Sequence, residues 1–406
     1  MSMRMSYLLT LVLAGALSSA AAQPAAAPEQ VARGEYLARI GNCAGCHTAP
    51  GGADFAGGRA IDSLFGTFYA PNITADADTG IGRWSADDFW QAMHNGKRAD
   101  GSAMYPACPY PNYTHVHRED IDAIYAYLRS LPPVQQQNRA HELSFPASAR
   151  PLVSLWQWLF FKPGSFQDDP SQTPAWNRGA YLVQGLGHCS ACHAERNAFG
   201  VSRGDGSAPG ARIRNWYAPS LYSSAEAGLQ AWPVEKGAAL LRHGKAEEAS
   251  AMGPMADVVF QSLQYLTEAD AMAMATYLHA LPDHDTEPAV RLLPVRQADL
   301  PAVMQRGQKI YEEHCQDCHG RDGEGSLAAP ALAGNRAVVL ADPTNLLNVI
   351  RDGGYPPSTG GNPRPYGMPP FGFLNDVELA ALATYIRTSW GNAGTPVSSA
   401  NVTRKD

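Results

Sequence analysis

The sequence lacks an apolar run long enough to cross a bilayer. Its apolar stretches at residues 7–17 and 152–161 both fall short of the roughly 20 residues that a spanning helix needs. It also lacks an excess of basic residues, because 31 lysines and arginines stand against 38 aspartates and glutamates, for a formal charge of −7. We therefore expect a protein that is not integral to the membrane, and nothing in its charge indicates nucleic-acid binding.

Three common catalytic signatures are missing as well. The chain contains no Gly-rich dinucleotide fingerprint after a strand, no P-loop and no nucleophile elbow. Each of these motifs marks a large class of enzymes by the chemistry it supplies. Without them, we expect substrate chemistry to be carried out by a partner rather than by this chain.

Cysteines are few but strongly patterned. Six of the seven lie in three copies of Cys-x-x-Cys-His, the attachment signature of c-type haem. Two thiols one helical turn apart can form thioethers to a haem, and the following imidazole can bind its iron. A zinc site or a redox disulfide is the alternative for an isolated pair. The motifs predict three haem c groups, with attachment residues Cys43, Cys46, Cys189, Cys192, Cys315 and Cys318, and iron ligands His47, His193 and His319.

The first residues have the pattern of a secretory signal peptide. Arg4 supplies a positive start, residues 7–17 an apolar segment, and Ala20-Ala21-Ala22 a small-residue cleavage site. We therefore expect a signal peptide at residues 1–22 and a mature protein in the periplasm. Export agrees with the haem motifs, because c-type haem is attached outside the bacterial cytoplasm.

The haem motifs belong to a longer internal repeat. Each motif follows an Arg-Gly pair that begins a helix, and each unit closes with an amphipathic helix, expected at 118–131, 267–281 and 376–390. A shorter helix lies between them, expected at 87–94, 234–243 and 346–351, and the glycine after each one is a candidate left-handed cap. The tyrosines of the closing helices are more consistent with a core role than a redox role; they are Tyr127, Tyr277 and Tyr385.

This repeat predicts a mainly α, loop-rich protein with three tandem class I-like cytochrome c domains, each wrapped around one haem. The expected domains are residues 23–135, 176–285 and 301–392. Linkers are expected at residues 136–175 and 286–300, and a flexible tail at residues 393–406.

An Ala-Pro pair follows the haem motif in every unit, with the prolines at Pro71, Pro219 and Pro330. The proline carbonyl can accept a hydrogen bond from Nδ1–H of the haem-binding histidine, which would fix the imidazole. The alternative is an ordinary turn proline.

A second axial ligand is expected on each iron, and methionine raises the potential. Unit three offers Met368 and unit two offers Met255, with Met252 as the alternative. Unit one differs, because Cys108 stands before the proline where unit three has Met368. There Cys108 could bind as a thiolate, Met104 could bind as a thioether, or the site could lack a strong protein ligand.

The first linker contains an apolar, aromatic-rich segment at residues 152–161, flanked by Arg150 and Lys162. Ten residues cannot span a membrane. Three interpretations remain open: a helix buried between the domains, a subunit interface, or a helix at a membrane surface.

The chain resembles the triple-haem cytochrome c subunits of bacterial membrane-associated dehydrogenases. The likeness covers the whole mature chain and is most specific at residues 84–90, 105–114 and 177–189. It implies a subunit without a substrate site of its own, which takes electrons from a molybdenum-, PQQ- or flavin-dependent dehydrogenase and passes them to ubiquinone or another acceptor. It also implies peripheral association with the outer face of the cytoplasmic membrane.

The resemblance assigns the iron ligands position by position, to His47, His193, His319, Met255 and Met368. Many relatives have methionine where this chain has Cys108. Some relatives that serve molybdenum enzymes also lack this methionine, which slightly favours a molybdenum-type partner. Two other functions remain open: a free-standing soluble multihaem carrier, and a haem enzyme or sensor that uses an open first site.

Overall fold

The computed structural model describes residues 26–202, 210–246, 249–284, 292–327 and 329–402. Within these ranges helices dominate, and the seven short strands form three small antiparallel sheets. The predicted mainly α, loop-rich character is confirmed. The expected signal peptide at residues 1–22 lies outside the described residues.

The first repeat unit begins and ends with long helices that cross each other. Its segments are α1 (Pro28–Ile40), α2 (Cys43–His47), β1 (Ala60–Ser63), β2 (Gly66–Tyr69), α3 (Ala86–Asn95), α4 (Tyr110–Tyr113) and α5 (Arg118–Ser130). The following linker contributes β3 (Glu142–Leu143), which pairs with β2, and α6 (Arg150–Phe160).

The second unit repeats this order of helices, whereas the third has its extra short helix before the middle helix rather than after it. The second contains α7 (Pro174–Gln184), α8 (Ser190–His193), β4 (Ala211–Ile213), β5 (Trp216–Ala218), α9 (Val234–His243), β6 (Lys245–Ala246), β7 (Ala249–Ser250), α10 (Pro254–Gln261) and α11 (Glu268–His279). The third contains α12 (Leu300–His314), α13 (Gln316–His319), α14 (Arg336–Val339), α15 (Thr344–Asp352) and α16 (Asp376–Thr388).

The glycine of each Arg-Gly pair lies where the first helix of a unit crosses the closing helix. A Cβ on Gly34 would collide with the carbonyl oxygen of Ala123. Gly179 and Gly307 make the same close approach to Ala273 and Ala381. Only a residue without a side chain allows this contact between backbones, which explains why the pair recurs.

Each short middle helix is followed by a glycine with a positive φ angle. Gly96 and Gly244 adopt the predicted left-handed cap, with φ angles of 60° and 66°. Gly353 has a φ of 67° but a ψ of −159°, outside the left-handed helical region, so the predicted cap conformation is wrong there. At its start, α3 has a capping box in which Ser85 and Asp88 satisfy each other's backbone N–H groups. Local sequence therefore determines where these helices begin and end.

The apolar core is divided unequally among the units. One continuous cluster joins the first two, from Leu37 and Ile124 to Leu182 and Leu278. The third unit has a separate cluster around Tyr311 and the inner face of α16. The described residues therefore form two cores, of which one belongs to a pair of units.

The expected flexible tail is wrong for residues 393–402. Val397 and Val402 are buried in the core of the third unit. The backbone of Val397 donates to and accepts from the hydroxyl of Thr384, and the carbonyl of Thr395 accepts from Arg387. These contacts fix the segment on α16, and residues 403–406 lie outside the described part of the chain.

Helix α6 turns much of its apolar surface outward. Val153 is the buried residue of this helix, whereas Leu155, Trp158 and Leu159 are exposed. The interpretation of a helix buried between the domains is therefore wrong. No helix in the described ranges is long and apolar enough to cross a membrane.

Candidate functional site

Each Cys-x-x-Cys-His motif lies at the end of the first helix of its unit and forms a single helical turn. Helices α2, α8 and α13 contain or directly adjoin the two cysteines and end at the histidine. All seven cysteines are free thiols, so no pair forms the disulfide considered as an alternative. The turn therefore presents two thiols and an imidazole in each of three equivalent places.

The histidine of each motif has the predicted partner. Nδ1 of His47 lies 2.8 Å from the carbonyl oxygen of Pro71, and Nδ1 of His193 lies 2.7 Å from that of Pro219. His319 and Pro330 repeat the contact at 2.9 Å. The prolines are therefore acceptors rather than simple turn residues, and the imidazole nitrogen left for a metal is Nε2.

Burial lowers the pKa of all three histidines, and the hydrogen bond to the proline carbonyl opposes this only partly. Burial also raises the pKa of Cys43, Cys189 and Cys315 to about 12. At neutral pH the sites therefore offer neutral imidazoles and protonated thiols. A neutral imidazole with an oriented ring and two adjacent thiols is the donor set that haem c requires, so the residues fit this group.

Cys108 lies beside the first motif. Burial and, to a smaller extent, the nearby thiols of Cys46 and Cys43 together raise the pKa of its thiol to about 12. Cys108 packs against the same apolar cluster as Cys43. Met104 is not among the residues of that cluster, and its backbone is held by Gly96 and Gln157.

The two methionines considered for the second unit point to different places. The methyl group of Met252 lies against Gly354 of the third unit, where an added Cβ would be 3.3 Å away. Met255 is on α10 and packs against the core shared by the first two units. Their positions agree with the preference for Met255.

Met368 lies in a loop of the third unit that is fixed by its backbone. Its N–H donates to Gly354 and its carbonyl accepts from the same residue, at 2.8 and 3.0 Å. The side chain packs against the apolar cluster of that unit. Its role as an iron ligand stays a prediction.

His94 and His243 occupy the ends of α3 and α9, as the sequence indicates. The ring of His94 stacks on Trp90 with centroids 4.3 Å apart, and the ring of His243 lies against Gly361. Both Nδ1 atoms are buried without a hydrogen-bond partner. These contacts are those of packed helix-end residues.

A reciprocal set of hydrogen bonds joins the first two units, and sequence reasoning missed it. Asp120 accepts from Arg33 of its own unit at 2.6 Å and from the hydroxyl of Tyr181 of the second unit at 2.6 Å. Asp270 accepts from Arg178 of its own unit at 2.8 Å and from the hydroxyl of Tyr36 of the first unit at 2.6 Å. In each unit, therefore, the tyrosine donates to the aspartate of the other unit, and the aspartate accepts from the tyrosine of the other unit.

The same reciprocity appears near the haem motifs. The amide of Asn112 donates to the carbonyl of Gln184 at 3.0 Å and to the hydroxyl of Ser190, inside the second motif, at 2.8 Å. In return, the hydroxyl of Ser262 donates to the carbonyl of Ile40, just before the first motif, at 2.8 Å. The two units therefore contact each other as the halves of a two-fold symmetric dimer do.

The motifs of the first two units are also close enough for their thiols to interact electrostatically. Burial raises the pKa of Cys46, and the thiol of Cys192 raises it further, whereas Arg59 opposes the shift. Cys46 and Cys192 are equivalent residues of their motifs. Equivalent residues meet where a two-fold axis passes through an interface, so this proximity agrees with the reciprocal contacts.

The third unit lacks the residues of this arrangement. Lys309 stands where the first two units have Tyr36 and Tyr181, and Glu378 stands in place of the aspartate. Glu378 caps its own helix, accepting from the backbone of Asn375 at 3.0 Å. The sequence does contain a sign of this interface, because two of the three repeats share a tyrosine at this position. The aspartate that each tyrosine contacts is more than 60 residues away, so the sequence does not reveal the pairing.

Several polar contacts join the second and third units. Arg212 pairs with the buried carboxylate of Asp342 at 2.6 Å. The amide of Asn345 bonds both backbone groups of Tyr217, at 2.9 and 2.7 Å. Asn348 adds a bond to the carbonyl of Asn215 at 2.7 Å. Side chains of α15 and the loop before it thus hold the β4–β5 hairpin.

Comparisons with known proteins agree with this geometry. The cytochrome c family profile matches residues 31–132 and 304–390. The cytochrome c subunit of alcohol dehydrogenase (quinone) from Gluconacetobacter polyoxogenes is 38% identical, over 97% of this chain and 87% of that protein. The gluconate 2-dehydrogenase cytochrome c subunit of Pantoea cypripedii is 38% identical, over 99% and 94%. The fructose dehydrogenase cytochrome subunit of Gluconobacter japonicus is 34% identical, over 91% and 81%.

Proposed function

The chain belongs to the family of cytochrome c subunits of bacterial dehydrogenases, and on this premise we propose that it carries three haem c groups and transfers electrons for a catalytic partner. The observation that carries the proposal is the threefold recurrence of one geometry. In each unit two free thiols adjoin a histidine whose Nδ1 is held by a proline carbonyl. The electron-transfer role follows from the family, and its members named above are cytochrome subunits of dehydrogenases.

The residues of the chain would hold and orient the cofactor. The six motif cysteines would form its thioethers, and Nε2 of His47, His193 and His319 would bind iron. Haem c supplies one-electron redox chemistry when bound. The bond from Nδ1 to proline keeps each ring in one tautomer and one orientation, which supports a stable axial ligand.

As the second protein ligand of each iron we propose Met255 in the second site, Met368 in the third and Cys108 in the first. The packing of Met255 on the shared core supports its assignment over Met252, whose methyl group lies at the third unit. The proximity of Cys108 to the thiols of the first motif supports it over Met104. A cysteine ligand would give the first haem a lower potential than the two methionine sites.

The partner would be a dehydrogenase subunit that oxidises an alcohol, sugar or aldehyde with a molybdenum, PQQ or flavin cofactor. The acceptor would be ubiquinone or another respiratory component. We place the protein in the periplasm, associated with the outer face of the cytoplasmic membrane. The signal-peptide pattern of residues 1–22 supports the periplasmic location.

Haem content tests the count of three. The purified protein should contain three covalent haems by pyridine haemochrome absorbance and intact mass. Replacing Cys189 and Cys192 together by alanine should lower the count to two, whereas Cys108→Ala should leave three. A wild-type count of two would contradict the proposal. Reduction of all haems by the co-purified dehydrogenase and its substrate tests the electron-transfer role.

Low-temperature EPR tests the first ligand. The oxidised protein should give a thiolate-type low-spin signal that disappears in Cys108→Ala and persists in Met104→Ala. The reverse pattern would assign Met104. An unchanged spectrum in both variants would show that neither residue binds the iron.

A further inference from the structure

An exposed apolar surface surrounds helix α6, which lies in the linker between the first two units. On the helix, Leu152, Leu155 and Leu159 follow the three-to-four spacing of one face, and Trp158 beside them is 79% exposed. The helix is held from its other side, where the amide of Gln157 donates to the carbonyl of Gly96 at 2.8 Å. An apolar helix face that points to solvent marks an interaction surface.

Two neighbouring turns, which we call the tips, extend this surface. Leu64, at the turn of the β1–β2 hairpin, is 99% exposed, and Phe145 in the following linker is 80% exposed. The N–H of Ser144 donates to the carbonyl of Phe65 at 2.9 Å, so the two tips lie side by side. Both present a large apolar side chain at the end of a protruding turn.

The loop of Phe199 connects the tips to the helix. The indole N–H of Trp156 donates to the carbonyl of Phe199 at 2.8 Å, and the ring of Phe199 stacks on Phe160 with centroids 5.3 Å apart. A Cβ on the adjacent Gly200 would be 3.6 Å from the ring of Phe65. Four separate segments of chain therefore form one continuous apolar surface, which we call the α6 face.

Positive charge surrounds the α6 face, although the chain as a whole has a formal charge of −7. The segments that form the α6 face and the loop beside it, residues 59–66, 95–105, 139–163 and 195–200, contain seven basic and four acidic residues. The exposed cations include Lys97, Arg98, Arg139, Arg150 and Lys162. A local excess of cations around exposed apolar side chains is complementary to anionic lipid headgroups above a hydrocarbon layer.

A groove of about 430 Å³ opens between α6 and the loop at residues 97–103. Trp158 and Phe161 line one side and Lys97 the other. This arrangement places an apolar wall beside a cation, as a lipid with an acyl chain and a phosphate requires. A protein partner would more typically meet a flat, well-packed surface with few charges at its centre.

We propose that the α6 face docks this protein on the anionic lipid surface of a membrane. The apolar tips and the outer face of α6 enter the headgroup region, and the surrounding lysines and arginines contact lipid phosphates. This inference deepens the proposed association with the cytoplasmic membrane, because it names the surface and the lipid chemistry.

Co-sedimentation with vesicles tests the proposal. The haem-loaded full-length protein should bind phosphatidylcholine vesicles that contain phosphatidylglycerol, and should bind pure phosphatidylcholine more weakly. The double variant Leu155→Ser/Trp158→Ser should weaken binding to both by about tenfold or more, since two large apolar side chains leave the bilayer. The matched control Tyr355→Ser/Phe373→Ser, at exposed aromatic residues of the third unit, should bind as the wild type does.

The charges are tested separately. Replacing Lys97 and Arg98 by glutamine should reduce the preference for phosphatidylglycerol by about fivefold per charge and leave binding to pure phosphatidylcholine unchanged. Circular dichroism and haem absorbance of each variant check that it is folded and loaded.

Several outcomes would overturn the proposal. A wild type that binds neither kind of vesicle would do so, as would a Leu155→Ser/Trp158→Ser variant that binds like the wild type. If this variant kept vesicle binding and lost its dehydrogenase subunit on purification, the α6 face would be a protein interface. The protein could also lack lipid affinity while its haem content and its reduction by the dehydrogenase are normal. This result would overturn the docking inference and leave the electron-transfer role intact.

Discussion

The first two units meet through a shared apolar core and reciprocal hydrogen bonds, whereas the third unit has a core of its own and meets the second through one-sided contacts. Tyr36 and Tyr181 each reach the aspartate of the other unit, at 2.6 Å in both cases. No such exchange links the third unit within the described residues, where Arg212 and Asn345 make one-sided contacts to another element. Three units that hold the same motif are therefore assembled in two different ways.

The difference shows that repetition in sequence does not imply equivalence in assembly. In a reciprocal interface every favourable contact occurs twice, once in each direction. One tyrosine and one aspartate in each unit therefore give two hydrogen bonds across the interface. The third unit keeps the glycine that brings its helices together but not the tyrosine that faces a neighbour. We expect the first two units to behave as one cooperative body and the third to respond separately.

The largest effect should come from Asp120→Ala. The buried carboxylate holds both Arg33 and the hydroxyl of Tyr181, and its loss leaves both without their partner. We expect a loss of about 3 kcal/mol in the stability of the first two units. Because a chain with several units need not unfold in two states, hydrogen exchange should be measured unit by unit by mass spectrometry.

The control is Glu378→Ala, at the equivalent position of the third unit. Its carboxylate caps α16 near the surface, so we expect a loss of about 1 kcal/mol, confined to that unit. Equal destabilisation of all three units by either variant would contradict the division into a pair and a separate unit.

The double variant Tyr36→Phe/Tyr181→Phe removes the two reciprocal bonds to the aspartates. It also removes the bonds that the two hydroxyls accept from the N–H groups of Thr267 and His117, at 3.3 and 3.2 Å. Each aspartate keeps its arginine, so the expected loss is about 2 kcal/mol in total. Electron equilibration between the proposed first and second haems should also slow, because these bonds cross the interface between the two units that would carry them. Pulse radiolysis with spectral separation of the haems measures this rate.

Tyr125→Phe provides the comparison for that experiment. Its hydroxyl donates to the carbonyl of Trp84 within the first unit and crosses no interface. The loss of stability per hydroxyl removed should be similar to that in the double variant. The rate of electron equilibration between the two haems should be unchanged. A slower rate in this variant would show that the reciprocal bonds have no special role.

Replacing Asn345 by alanine tests the other interface. The change leaves the N–H and the carbonyl of Tyr217 without their partner, and we expect a loss of about 1 kcal/mol. Faster hydrogen exchange should appear in α15 and in the β4–β5 hairpin. Protection of α1, α5, α7 and α11 should stay unchanged, and its loss would show that the two interfaces are coupled.

The smallest effect concerns pH. Burial alone would raise the pKa of Asp270, but hydrogen bonds from Arg178 and Tyr36 leave it below its usual value. A carboxyl group with a lowered pKa in the folded state stabilises the fold above the unfolded pKa near 3.9, and this contribution is lost as pH falls through the folded value. Thermal unfolding of the pair should therefore shift to lower temperature below about pH 4, and Asp270→Asn should flatten that dependence.

Much of the local structure could be predicted from the sequence because its causes are local. A glycine after a helix, a proline after the haem motif and an apolar spacing of three or four residues act on their immediate neighbours. The bonds of His47, His193 and His319 to proline carbonyls confirm one such expectation. The tail was mistaken because the burial of Val397 and Val402 depends on α16, which the composition of the tail does not reveal.

By itself, the sequence determined three sites that can hold haem c, because the thiols and the imidazole of each lie within five consecutive residues. Only the tertiary structure decided which sites are paired and which apolar segment faces outward. Tyr36 and Asp270 are 234 residues apart, and nothing in the chain between them specifies that they meet. Such contacts depend on how folded units pack, where burial and surface complementarity of all residues act together.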